Sequence, residues 1–386
     1  LDRNNQVISE SVGEVGTYAR VIQLPSLSAM AGYSNPDYGQ TGVEYSMDDY
    51  LRGVKGTSSI SVWADRLLYG QYPPGLDIRM SIDASLQEKA DSLLRGYKGA
   101  LVLINASTGE ILAASTAPTF DANELGSKWQ AWMSDSNAPL LNRITQGQYP
   151  AGSIIAPFLY ASALSIGLPN VPEALSAYEQ SLCATTPGSA DDYANLVEAG
   201  CPIAFEKLSS ALQPTVMWNL LSQLGFFTTP DVPVETAKAS SLTYPIDSAA
   251  LLSPANPWRI SPLQLAMAAA ALSNKGLLPS PELVTAYKDP NNEWIVLPDL
   301  GSPSQIDSFN ASAAALNLST SSFPGWQAVA AAEDQTQKIS WYVAGTTPAW
   351  KATPLALVVV LEGSSPDEAR YVGQQMFLSS IRPFGN

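Results

Sequence analysis

Histidine is absent from all 386 residues. That absence removes Ser-His-Asp and Cys-His catalysis and every histidine-ligated metal site. Cysteine is nearly absent too: Cys183 and Cys201 are the only two, too few to hold zinc by themselves. They are expected to close a modest loop as a disulfide in an oxidising compartment, the alternative being two unrelated buried thiols. Basic residues are scarce. With 20 Lys and Arg against 35 Asp and Glu, the formal net charge of −15 argues against nucleic acid and against an anionic membrane surface as partners. No long apolar run of membrane-spanning length occurs, and the chain opens Leu1-Asp2-Arg3 with neither Met nor a signal segment. Two readings of that start stand side by side: a chain soluble as encoded, or one preceded by an export or anchor segment.

What is present reads as a folded protein. Hydrophobic residues make up 46%, charged residues 14%, and the mean hydropathy is +0.01, which excludes a disordered chain. The length allows two domains. Residues 1–75, rich in Tyr, Gly and Ser, read as an accessory unit, with a short strand at 19–24 and a short helix at 47–54 capped by Ser46. The Pro/Gly break at 71–75 separates it from a second unit, 76–386. There an alternating strand at 76–82 leads to a helix at 84–94 capped by Asp83, then to a hairpin joining 100–104 and 110–114. Helical patterns run from 153–166 through most of 167–260. A strong helix at 260–274 follows, with Ser261 as N-cap and Pro262 at its first position. Strands at 340–344 and 354–361 and a helix at 366–381 close the chain. The second strand is apolar throughout and should lie inside a sheet covered on both faces. The pattern implies an α+β fold: one antiparallel sheet built from both ends of the domain, helices over it, and a helical insert.

Gln148-Tyr149-Pro150-Ala151-Gly152-Ser153 leads into an apolar, helix-like run. A serine at a loop-to-helix junction suits a nucleophile, because a helix N-terminus favours developing negative charge. The alternative is an ordinary helix N-cap.

Several segments, in order, resemble class B penicillin-binding proteins, the transpeptidases that cross-link peptidoglycan. Gly32-Tyr33-Ser34, Tyr38-Gly39, Thr41-Gly42-Val43-Glu44 and Tyr50-Leu51-Arg52-Gly53 resemble the N-terminal pedestal of that family. Ser81-Ile82-Asp83-Ala84-Ser85-Leu86-Gln87, Thr108-Gly109-Glu110-Ile111-Leu112-Ala113, Pro118-Thr119-Phe120-Asp121, Leu141-Asn142-Arg143 and Tyr149-Pro150-Ala151-Gly152-Ser153 resemble its transpeptidase domain. The resemblance implies the penicillin-binding protein/serine β-lactamase-like transpeptidase fold on 76–386, with 1–75 as the smaller pedestal.

It also marks what is missing. The family uses Ser-x-x-Lys, Ser-x-Asn and Lys-Thr-Gly. Here Ser153 keeps the nucleophile's place, but Ala156 replaces the lysine that takes its proton. Gly200 and Pro202 replace Ser and Asn of the second motif. In the best register Ala328, Val329 and Ala330 replace Lys, Thr and Gly of the third; a second register falls on Val343-Ala344-Gly345-Thr346.

The expected role is therefore that of a pseudoenzyme of the cell envelope: extracytoplasmic, anchored by an N-terminal transmembrane segment outside this sequence, needing no cofactor and no metal. It would bind or scaffold cell-wall synthesis proteins, a glycan polymerase or an active transpeptidase. The alternatives are residual transpeptidase, carboxypeptidase or β-lactam chemistry at Ser153, and a module that binds peptidoglycan stem peptides or glycan. An acidic cation site at Asp191, Asp192 and Glu198, and a glycan groove of Trp129, Trp132, Trp341 and Trp350, read less well than a solvated loop and core packing.

Overall fold

The computed structural model describes residues 1–386 except 15–17, 65–66, 69, 71–73, 168–174, 190–191, 245, 247–250, 299–300, 302, 335 and 382–386. The Asp83 carboxylate accepts from the Ser85 and Leu86 amides and starts helix α1, Ala84–Leu94. The hairpin follows as β1, Gly99–Asn105, and β2, Ile111–Ala117. Near the other end lie β3, Trp326–Glu333, β4, Lys338–Gly345, and β5, Leu355–Glu362. They form one antiparallel sheet in the order β3-β4-β5-β1-β2, with β5 pairing β1 through Gly99↔Leu361 to Asn105↔Leu355. The two ends of the domain thus meet at the centre of the sheet.

Both faces are buried, as strands this apolar require. On one face Leu101, Leu103, Leu357, Val359 and Tyr342 pack against Leu86 and Ala90 of α1 and Val372 and Met376 of the last helix, Pro366–Ile381. That helix crosses close to the sheet at Gly373, where a Cβ would lie 2.0 Å from the Tyr342 ring. On the other face Val102, Ile104, Val358 and Val360 meet the helix Pro262–Ser273, which starts at a capping box between Ser261 and Gln264. The helical insert joins this face. It contributes α2, Ala156–Leu164, α3, Tyr193–Glu198, and α4, Pro202–Ala211.

Described parts of 1–75 lie against this body. The Leu1 amino group donates to the Ile78 carbonyl at 2.7 Å, and the Asp2 carboxylate accepts the Ala84 amide at 3.1 Å. Ile8, Leu27, Met30, Val43 and Met47 belong to the same apolar cluster as the helical insert. Of the 71–75 break, residues 71–73 lie outside the described residues. The expected helix at 47–54 is displaced: helical turns run Gly42–Ser46 and Asp48–Leu51, and Ser46 caps neither. Its hydroxyl donates instead to the Pro233 carbonyl at 2.7 Å, a tertiary partner that outcompetes the local cap. Among the described residues no helix is long and apolar enough to cross a membrane.

Candidate active site

The helix expected from Ser153 onward begins at Ala156; before it, Gly152–Ile155 is a 3-10 turn. Gly152 adopts φ +56°, and a Cβ there would come within 2.9 Å of the Ala332 Cβ and 3.3 Å of the Ala331 carbonyl oxygen. Only glycine lets the turn lie this close to β3. Ser153 is therefore held inside the turn, buried, and its hydroxyl caps no helix. This corrects the N-cap alternative: the approach to β3, not helix capping, sets the position of the serine. Its hydroxyl donates to the Gly200 carbonyl at 3.5 Å, the long limit of a hydrogen bond.

Ala156 opens α2 at 1% exposure and shares an apolar cluster with Ala328, Ala330 and Ala332. Gly200 lies in the turn between α3 and α4 at φ +65°. A Cβ on it would stand 2.3 Å from the Val329 carbonyl oxygen. Cys201 follows, buried and bonded to Cys183. Pro202 then opens α4 at a position where a helix amide has no partner, and its ring has no donor to offer.

Ala328, Val329 and Ala330 sit on the edge strand β3, all buried. Ala328 and Ala330 face the serine turn, while Val329 packs into the cluster beneath the last helix. Ser153, Gly200 and this strand are thus brought together, with backbone packed on backbone: the Gly152 turn and the Gly200 turn cover the outer edge of β3. An exposed edge would otherwise offer its amides and carbonyls to another chain. Val343-Ala344-Gly345-Thr346 lies elsewhere, largely on β4, which is hydrogen-bonded on both sides.

One part of the site had no sequence signal. Gln327, buried on β3, donates Nε2 to the Glu198 carboxylate at 2.7 Å. Its Oε1 accepts from the Tyr342 hydroxyl and from Gln374 Nε2, each at 3.0 Å. Burial drives the Tyr342 phenol well above its ordinary pKa, so it stays a donor. One amide therefore ties α3, β3, β4 and the last helix together beside Gly200.

The remaining candidates scatter. Asp191 lies outside the described residues, Asp192 caps α3 through the Ala194 amide, and Glu198 is held by Gln327. Among the described residues no group of three or more potential ligands gathers to hold a metal. Trp129 packs on Tyr33 and Tyr38, Trp132 on Phe120, and Trp341 donates to the Pro150 carbonyl at 2.9 Å. Trp350 is half-buried after β4. Two cavities of about 570 and 550 Å³ open elsewhere, and neither is lined by Ser153, Gly200 or Ala328.

Comparison with known proteins places these features. The model of the penicillin binding protein transpeptidase domain matches residues 99–347. The peptidoglycan D,D-transpeptidase MrdA of Escherichia coli K12 is 36% identical over 159 residues, which are 38% of this chain and 25% of that protein. The peptidoglycan D,D-transpeptidase PbpA of Mycolicibacterium smegmatis is 28% identical over 329 residues, covering 75% of this chain and 65% of that protein. The chain thus spans a quarter of the first relative's length and just under two thirds of the second's. The crystal structure of PBPA from Mycobacterium tuberculosis superposes with a TM-score of 0.78 over 99% of this chain and 98% of that one, at 21% identity. At that identity the likeness establishes the fold.

Proposed function

The chain belongs to the penicillin-binding protein transpeptidase family, and from that premise we propose that it is a member without acyl-transfer activity. Its role would be to bind or scaffold other components of peptidoglycan synthesis. The surroundings of Ser153 carry this reading. A serine hydroxyl is too weak an acid to attack unaided and needs a base within reach. Among the described residues its one hydrogen-bond partner is the Gly200 carbonyl, an acceptor that cannot take up its proton. One helical turn on, Ala156 offers a methyl group, and no histidine exists to substitute.

On this reading Ala156 stands where the family's lysine would be, Gly200 and Pro202 where its Ser and Asn would be, and Ala328, Val329 and Ala330 where its Lys-Thr-Gly would be. Loss of a general base costs on the order of 10²–10⁴ in rate. Loss of the groups that steady the oxyanion and the substrate carboxylate costs comparable factors, without simple addition.

The proposed setting is the cell envelope outside the cytoplasm, with membrane attachment through a segment that is not in this sequence. The proposed partners are a glycan polymerase or an active transpeptidase, and the division at residue 75, with 1–75 as pedestal, belongs to the same proposal. Incubation of the purified chain with a fluorescent penicillin, followed by intact-mass measurement, tests the core of it. No covalent adduct is expected. An adduct that disappears in Ser153→Ala would overturn the reading.

A further inference from the structure

The cavity of about 550 Å³ opens where Met47 and Tyr50, from the early part of the chain, face the larger body. That volume lies within the range of small-molecule sites, which favour such junctions. Across from them stand Val232, Met267 of the helix Pro262–Ser273, Val284 and the half-buried Leu278 and Leu297. The walls are therefore mainly apolar, and their polar groups are largely engaged already. Five lining residues are prolines, Pro230, Pro233, Pro279, Pro281 and Pro298, and a proline brings no N–H. The amides of Gly225, Thr228 and Leu297 donate to the Ser222, Gly225 and Thr285 carbonyls. Gln264 donates Nε2 to the Phe226 and Thr228 carbonyls at 3.2 and 3.1 Å, and its Oε1 accepts the Ser261 amide at 3.0 Å. Charge is kept toward solvent: Lys55 and Asp231 are exposed and Glu282 is half-buried.

We infer that this cavity binds a single hydrocarbon chain, alkyl or isoprenoid, whose head group stays in water at the rim. The walls make the selection. A peptide or a sugar carries several N–H, C=O or O–H groups, and among the described residues few free partners remain to match them once buried. Methylene groups need only apolar contact, and each one moved out of water adds to binding. Left unfilled by such a chain, the wall side chains lack contacts that close packing would give them, and water replaces those contacts poorly where few hydrogen bonds are on offer. The rim does not choose a head group. A head of either sign would meet Lys55 together with Asp231 and Glu282, all more accessible than the walls, where exposed charges contribute little. The site does not involve Ser153 and stands apart from the proposal on catalysis.

Fluorescence titration of the whole chain with N-phenyl-1-naphthylamine, a neutral dye that brightens in apolar surroundings, followed by displacement, tests it. One dye per chain should bind saturably. 1-Decanol should displace it at lower concentration than 1-octanol, by up to about fourfold for each added methylene. Below their micelle concentrations, decanoate and decylphosphocholine should act within about fivefold of 1-decanol, the three arms separating anionic, zwitterionic and uncharged sources of the chain. Met267→Trp and Leu297→Trp, which fill the cavity, should each weaken dye binding about tenfold or more. Phe309→Ser, at an exposed position that does not line the cavity, should bind as the parent does. Thermal melting checks folding, and if Met267→Trp does not fold, Leu297→Trp at its half-buried position decides. Four results would each overturn the assignment: no saturable one-to-one binding, folded cavity-filling variants that bind as the parent does, affinity that follows the head group and not the chain length, or displacement by tri-alanine or maltotriose.

Discussion

Gly200 and the Val329 carbonyl are in backbone contact, so close that a Cβ on Gly200 would lie 2.3 Å from that oxygen. The contact presses the α3–α4 turn onto the edge of β3 and leaves no space there for a side chain.

Gly200→Ser should therefore destabilise the protein and, on the proposed reading, still give no penicillin adduct. The left-handed φ of +65° and the overlap with β3 act together. A loss of roughly 2–4 kcal/mol is expected in urea unfolding. An unchanged midpoint would mean that the turn lifts off β3 at no cost.

Ala156→Lys tests the proposal that Ser153 lacks a base. The site is 1% exposed, so the new ammonium must either shed its charge or force its way to water. The expected outcome is a lower urea midpoint and still no penicillin adduct by mass. A folded variant that acylates readily would show that the base was the sole deficiency.

The Cys183–Cys201 bridge closes a short loop, with a sequence separation of 18, and anchors the turn that carries Gly200. Replacing both cysteines by serine should cost about 3 kcal/mol. Reduction of the native protein should lower the urea midpoint by a similar amount. Equal stability with and without reductant would contradict this.

Glu362 gives the fold an acid-sensitive point. Burial alone would raise its carboxyl, but donors from Lys98 and Tyr149 and the charge and hydrogen bond of Arg143 more than offset that and hold the pKa below the usual glutamate value. A depressed folded-state pKa contributes stability that is present above the unfolded value and is lost as pH falls through the folded one. Urea midpoints should therefore drop as the pH is lowered through and below the ordinary carboxylate range. Glu362→Gln should flatten that slope. If the slope is unchanged, other carboxylates govern it.

The sheet was legible in the sequence because its strands must satisfy burial on their own. The run 354–361 is apolar at nearly every position, and it became β5 with both faces covered. The helix at 84–94 was legible because Asp83 caps it locally. Ser153 and Ser46 misled for one reason: a hydroxyl that can cap locally was claimed by a carbonyl distant in the chain. Gln327 and Glu198, 129 residues apart, carry no periodicity, cap or spacing that would link them before the chain folds. The penicillin-binding protein resemblance of the sequence segments found the family, and the geometry around Ser153 could be read only from the folded chain.

The pairing of β5 with β1 also bears on the order of events in folding. The strand that fills the middle of the sheet comes long after the hairpin in sequence, so β1–β2 waits with one long edge open until that distant segment is available. Such long-range closure slows folding and leaves an apolar strand exposed meanwhile. A chain cut before Leu355 would keep most of its helices in sequence yet lose the partner of β1, and aggregation through that bare edge is its natural fate.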